Sequence, residues 1–172
     1  MNDAIKDLQK EATKVELKRL YNSITKLGIE ELKICGDKFP SAITVILSGK
    51  ILVPLLIGPE KSGLGTLANI LKNEKVSALI VIAKGWAVRP NGGALVSFSL
   101  NHHPGSEEIF FAGIESVEMI KTRIWKMRRD GRGKIIFPLG RPEVFLDDEA
   151  FTLRVIKNSH YWAGNGHEIY YA

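Results

Sequence analysis

At 172 residues the chain can bury one sizeable core, because a domain of roughly 150 residues hides about two thirds of its unfolded surface. Its composition, 45% hydrophobic and 25% charged, excludes a wholly disordered or coiled-coil chain, and its longest apolar runs, Ile51–Ile57 and Ala78–Ala83, are too short for the roughly 20 residues of a membrane-spanning helix. The net charge of +5 is local: residues 117–145 hold eight bases and three acids, while the other sixteen bases and sixteen acids cancel, which marks a basic surface patch.

Cys35 stands alone, so neither an internal disulfide nor a cysteine-built zinc site can form, as suits a reducing compartment. The opening Met1-Asn2-Asp3-Ala4-Ile5-Lys6-Asp7 alternates charges where a secretory signal would carry an apolar core. Both features lead us to expect a cytoplasmic protein with no membrane partner.

In chain order, helical spacing predicts a helix from Asp3 to Leu27, ended by Gly28. Its apolar residues form two stripes, Ile5, Leu8, Ala12 and Val15 on one side and Leu17, Leu20, Ile24 and Leu27 on another. Two readings suit this: the first half of the helix packs under a loop, or the first stripe, within residues 1–28, meets a second copy of the chain in a homodimer. Ile29–Lys38 reads as a connector. Ala42–Leu47 and Ile51–Ile57 flank Ser48-Gly49-Lys50 and read as a hairpin. Pro54 cannot donate to a ladder, so the second strand belongs at an edge or a bulge.

Ser62–Asn73 carries Leu64, Leu67, Ala68 and Leu71 at i, i+3, i+4 and i+7, an amphipathic helix. Val76–Val88 is an almost continuous apolar run and reads as a central strand covered on both faces. Ala94–Leu100, Glu108–Gly113 and Val117–Arg128 follow as further strands, the last two joined near Glu115. Arg129-Asp130-Gly131-Arg132-Gly133 is turn chemistry, with Lys134–Leu139 returning as the second arm of a basic hairpin. Asp148–Lys157 fits a helix by its end charges and a strand by the alternation of Phe151, Leu153 and Val155. The aromatic tail, from Tyr161 to Tyr171, should pack on the domain.

Three stretches carry candidate chemistry. Gly58-Pro59-Glu60-Lys61-Ser62-Gly63-Leu64-Gly65-Thr66 resembles the GxxxxGK[ST] loop of nucleoside monophosphate kinases. Leu64 replaces the lysine that would hold the terminal phosphates, and Ala78–Ala83 ends in Lys84 where an acid is needed near magnesium. A Gly-rich turn opening a helix, with no cofactor, is the expectation. The loop Asn101-His102-His103-Pro104-Gly105-Ser106-Glu107-Glu108 has imidazoles and carboxylates for acid/base or metal chemistry. Neighbouring side chains diverge in extended chain, so one of each pair at most can face a common point. His103-Pro104 is similar to the end of the HxHP signature of JAMM metalloproteases, but Asn101 replaces the first ligand and Ala112–Glu115 stands where SxxD is required. No metal is expected. His103, Glu107, Glu108 and Lys84 make the candidate catalytic set of a hydrolase-like enzyme.

The third stretch is the basic hairpin. A two-stranded ribbon with cations at its tip can lie along a nucleic-acid backbone, and Arg123, Trp125, Arg128, Arg129 and Arg132, within residues 121–134, are the candidate contacts, Trp125 stacking on a base.

The succession of Ala78–Trp86, His103-Pro104, Glu107-Glu108, Ile109–Gly113, a strand and an Arg-Asp-Gly turn resembles a group of small uncharacterised bacterial proteins over roughly residues 76–135. Those relatives carry an acid shortly before the Trp, where this chain has Lys84 and Gly85. The resemblance implies no activity. The expected fold is a single α+β domain: an N-terminal helix and a central mixed, mainly antiparallel sheet with one covering helix; the alternative is a more regular α/β sandwich. The expected function is a binding or interaction protein with a basic contact surface for nucleic acid, the hydrolase-like enzyme being the alternative.

Overall fold

The computed structural model describes residues 13–48, 51–57, 62–89, 97–99, 102, 104–147 and 150. It has a mixed α+β architecture. Helix α1 (Lys14–Cys35) leads through a short 3-10 turn (Gly36–Lys38) into β1 (Ser41–Leu47) and β2 (Leu52–Ile57). Helix α2 (Ser62–Asn73), β3 (Val76–Val88), β4 (Ser97–Ser99), β5 (Ser106–Ser116), β6 (Ile120–Lys126) and β7 (Glu143–Leu146) follow. The sheet order is β2-β1-β3-β5-β6-β7, with β4 on β3. Each described ladder is antiparallel, so the expected mixture of directions is not found there.

The long apolar run is the middle of this sheet. Residues 76–82 of β3 pair with β1, residues 86–88 with β4, and residues 78–88 with β5. Ala78, Ile80 and Ile82 pack under α1 with Phe110, Ala112 and Ile114 of β5. On the opposite face Leu79 packs with Ile43, Val45 and Leu67, the last from α2. Burial on both faces explains why β3 shows no polar alternation. Strand β2 is an edge, as Pro54 requires. The Leu47–Ile51 backbone bond fixes the alternation of the hairpin, which puts Pro54, opposite Thr44, where its nitrogen faces away from β1.

Helix α1 departs from expectation at both ends. It starts at a capping box: Thr13 Oγ1 accepts from Glu16 N–H, and Glu16 Oε2 accepts from Thr13 N–H. It runs through Gly28 to Cys35, ending at Gly36, whose φ of 54° is available to glycine at little cost. The Ile29–Lys38 connector is therefore mostly helix. Gly28 serves close packing instead: a Cβ there would lie 2.7 Å from Ile82 Cγ2 and 3.2 Å from Phe110 Cζ. Leu17 and Tyr21 are buried against the sheet, and the Tyr21 hydroxyl donates to Ala112 O at 2.8 Å. Val15 is exposed; Ile5, Leu8 and Ala12 of the proposed dimer stripe lie outside the described residues.

The C-terminal half is also redrawn. β5 extends to Ser116, whose hydroxyl and backbone close a turn with Met119. β6 ends at Lys126, and only a single bridge, Arg129 with Ile135, links the two expected arms of the basic hairpin. The partners of β6 are β5 and β7, so it belongs to the sheet instead of forming a projecting ribbon. The Gly58–Lys61 part of the kinase-like loop, most of the Asp148–Lys157 stretch and the aromatic tail lie outside the described residues. No helix among the described residues is long and apolar enough to cross a membrane.

Candidate functional site

Sheet parity sorts the charged residues. Glu108 lies opposite Trp86 and Lys84 opposite Phe110, so Lys84 and Glu108 are diagonal neighbours on the α1 face. Lys84 Nζ stands 3.5 Å from Glu108 Oε1 and 3.1 Å from Asp37 Oδ1, the latter in the 3-10 turn after α1. Arg129 closes the group. Its Nε and Nη2 donate to the two oxygens of Glu108 at 2.7 and 2.6 Å, Nη2 also reaches Asp37 Oδ1 at 2.5 Å, and Nη1 donates to Gly133 O at 2.6 Å.

Each cation of this quartet touches both carboxylates, so neither acid is left as a free base. Hydrogen bonds from Arg129 and then Lys84 hold the Asp37 carboxyl down at about 2. Glu108 and Asp37 in turn push the Arg129 guanidinium further up. The group is a clamp: it ties the end of α1, the middle strands and the turn after β6 to one another. A two-pronged arginine–carboxylate contact fixes direction as well as distance.

Glu107 points to the opposite face, as adjacent residues of a strand must. There it meets Arg89, which also reaches Glu143, and Lys126 Nζ at 2.7 Å. Burial alone would raise the Glu107 carboxyl, but hydrogen bonds from Lys126 and Arg89 outweigh it and the net shift is downward. His103 lies outside the described residues. His102 is exposed, its ring edge-on to Trp86 with centroids 4.5 Å apart. Of the expected catalytic set, then, Lys84 and Glu108 meet and Glu107 does not. Among the described residues no three His, Cys, Asp or Glu side chains are grouped to hold a metal ion.

The expected nucleic-acid contacts also divide. Trp125 is 6% exposed and packs on Phe110 with ring centroids 5.6 Å apart. It is a core residue and cannot stack on a base. Arg123 is half-buried over the Tyr21 ring, and Arg129 is held in the clamp. Arg128 and Arg132 are exposed, and Lys134 joins them. Asp130 Oδ1 accepts from the backbone N–H groups of Arg132 and Lys134 at 2.8 and 2.9 Å; its charge also acts on Lys134, and one acid against three exposed cations leaves the turn positive. Beside the turn a groove of about 520 Å³ is lined by Lys33, Asp37, Arg129, Arg132, Lys134 and Phe137, among others. Asp37 is not legible in sequence, and Lys134 is legible only as one base of the 121–134 segment. Gly36-Asp37-Lys38 reads as a plain connector, and Lys134 as part of a strand.

Acid should weaken these networks. Asp37 and Glu107 titrate lower folded than at their ordinary values of 3.8 and 4.5. They therefore contribute stability that is present above those values and lost as pH falls through the folded ones. Asp37 is 68% exposed, so solvent screens much of its share. The urea midpoint should be level from about pH 7 to 5 and fall between about pH 4.5 and 2, with a shallower fall in Asp37→Asn. A wild-type midpoint unchanged down to about pH 3 would contradict it.

Comparisons with protein-family models, curated proteins and solved structures find no match.

Proposed function

We propose that this is a non-enzymatic binding protein of the cytoplasm whose contact surface is the basic turn from Arg128 to Lys134, and that its partner is the phosphate backbone of a nucleic acid. The observation that carries this reading is the excess of exposed cations on the turn. Arg128, Arg132 and Lys134 are exposed and form no ion pair with any described residue, while the one acid among them, Asp130, bonds the turn's own backbone and offsets a single charge. The clamp supports the same reading by a second route. Arg129 is bonded to Glu108 and Asp37, so the three free cations leave a rigid base, and less conformational freedom is lost when they meet a partner. The buried Trp125 argues for backbone contact over base stacking, hence for little sequence preference.

Fluorescence anisotropy with short DNA and RNA duplexes at several salt concentrations tests this. Binding should weaken with salt at a slope of up to about −2.7 on logarithmic axes, from roughly −0.9 for each of three phosphates. The variant Arg128→Ala/Arg132→Ala/Lys134→Ala should lose most of that slope. Absence of binding at low salt would remove the reading.

A further inference from the structure

A second group of cations lies on α1 and β6. Lys121 and Arg123 alternate on β6 and so project from the same face, towards α1. The Arg123 guanidinium lies over the Tyr21 ring, 5.1 Å from its centroid. Lys18 precedes Tyr21 by three residues on α1, which puts it on the same side of that helix. The three side chains thus share the seam between α1 and β6. Lys121 and Arg123 are half-buried and Lys18 is exposed.

The ladder gives these cations no acidic neighbour. Lys121 lies between Ile114 and Leu146, and Arg123 between Ala112 and Val144. Val144 and Leu146 are themselves about half exposed. No ion pair with a described residue involves Lys18, Lys121 or Arg123. Burial, followed by the charges of Arg123 and Lys18, pushes the Lys121 ammonium down. Three like charges, two of them partly desolvated, work against the fold. Such a conflict between local electrostatics and stability is the kind retained where a site needs it.

We propose that Lys18, Lys121 and Arg123 form an oxyanion site, separate from the basic turn, that takes a phosphate group. The Arg123 fork, kept planar on Tyr21, would donate two parallel hydrogen bonds, and the two lysines would supply the remaining charge for a dianion. Free phosphate and the phosphates of a nucleic-acid chain share this chemistry, and the two probes below distinguish them.

Thermal unfolding of the wild type and of Lys121→Met, which keeps the apolar stem and loses the charge, tests the site. In low-salt chloride Lys121→Met should melt higher than wild type, because repulsion is relieved. Inorganic phosphate should raise the wild-type midpoint above that in chloride of equal ionic strength. Lys121→Met should bind phosphate about tenfold more weakly, equivalent to one lost charge-assisted contact. A dependence on Lys121 seen with a short oligonucleotide but not with inorganic phosphate would support the site and assign the phosphate to the nucleic-acid chain. Equal stabilisation of both proteins by both probes, or a lower midpoint for Lys121→Met in chloride, would overturn the proposal.

Discussion

Alanine at Gly28 is expected to destabilise the protein by up to about 2 kcal/mol, and valine by about 3 kcal/mol or more, although alanine is the better helix former. Two effects compete. In a helix interior alanine is favoured over glycine by roughly 1 kcal/mol. Against this, the added Cβ at Gly28 would sit 2.7 Å from Ile82 Cγ2, a methyl on a β-branched side chain of the central strand that cannot swing aside. Overpacking of this kind typically costs about 1–3 kcal/mol, so the clash outweighs the propensity. Gly65 supplies the control. It lies in α2 with nothing within 4 Å of its notional Cβ, so there alanine should stabilise by up to about 1 kcal/mol. Urea unfolding of Gly28→Ala and Gly65→Ala should give shifts of opposite sign. If both variants are stabilised, α1 does not press on β3 through Gly28.

The same glycine shows where sequence reasoning stops. A helix ends at glycine when the backbone must turn left-handed, but it also runs through glycine when another backbone or side chain must come close. Spacing along one chain does not distinguish these uses; only the approach of Ile82 and Phe110 does. The true start of α1 was legible, because Thr13-Lys14-Val15-Glu16 is a capping-box pattern, yet the apolar stripe running across it drew the boundary further back. Val76–Val88 was recovered with its bounds because a strand buried on both faces is apolar throughout. Pro54 placed β2 at the edge because a missing N–H is a property of the residue alone.

The charged sites were legible in part. Alternation along a strand separates Glu107 from Glu108 without any structure, and the structure puts them on opposite faces. The clamp was not readable, since Asp37 and Arg129 are 92 residues apart and nothing in either neighbourhood points to the other. The basic hairpin is found only at its tip, where Arg129 bridges Ile135, for a related reason. Its second arm was assigned to the nearest apolar run, whereas β6 pairs with the four-residue β7, too short to stand out. Trp125 shares its face with Arg123, and only the packing of Phe110 shows that one side chain points into the core.

The clamp offers the second large effect. Glu108→Ala should cost about 2–3 kcal/mol of stability: breaking a buried pair costs about 3–5 kcal/mol, reduced here because Arg129 is about a third exposed and Asp37 still faces it. The side chain removed is 10% exposed, and Lys84 and Arg129 would then face each other with only the exposed Asp37 between them. Paired with Arg129→Ala in a double-mutant cycle, the two losses should be far from additive, because the second substitution removes the cation that the first strands. Binding separates two accounts of the clamp. By charge alone, Glu108→Ala makes the surface more positive, which should strengthen association with a polyanion. If the clamp holds the basic turn in place, the same substitution frees the turn and the cations must be ordered on binding, so association should weaken despite the added charge. Anisotropy at one low salt concentration gives the sign, with Glu118→Ala, an exposed acid on the turn between β5 and β6, as the control for charge. Weaker binding by Glu108→Ala together with unchanged or stronger binding by Glu118→Ala identifies the clamp as the support of the contact surface. Stronger binding by both leaves it no part in presenting that surface.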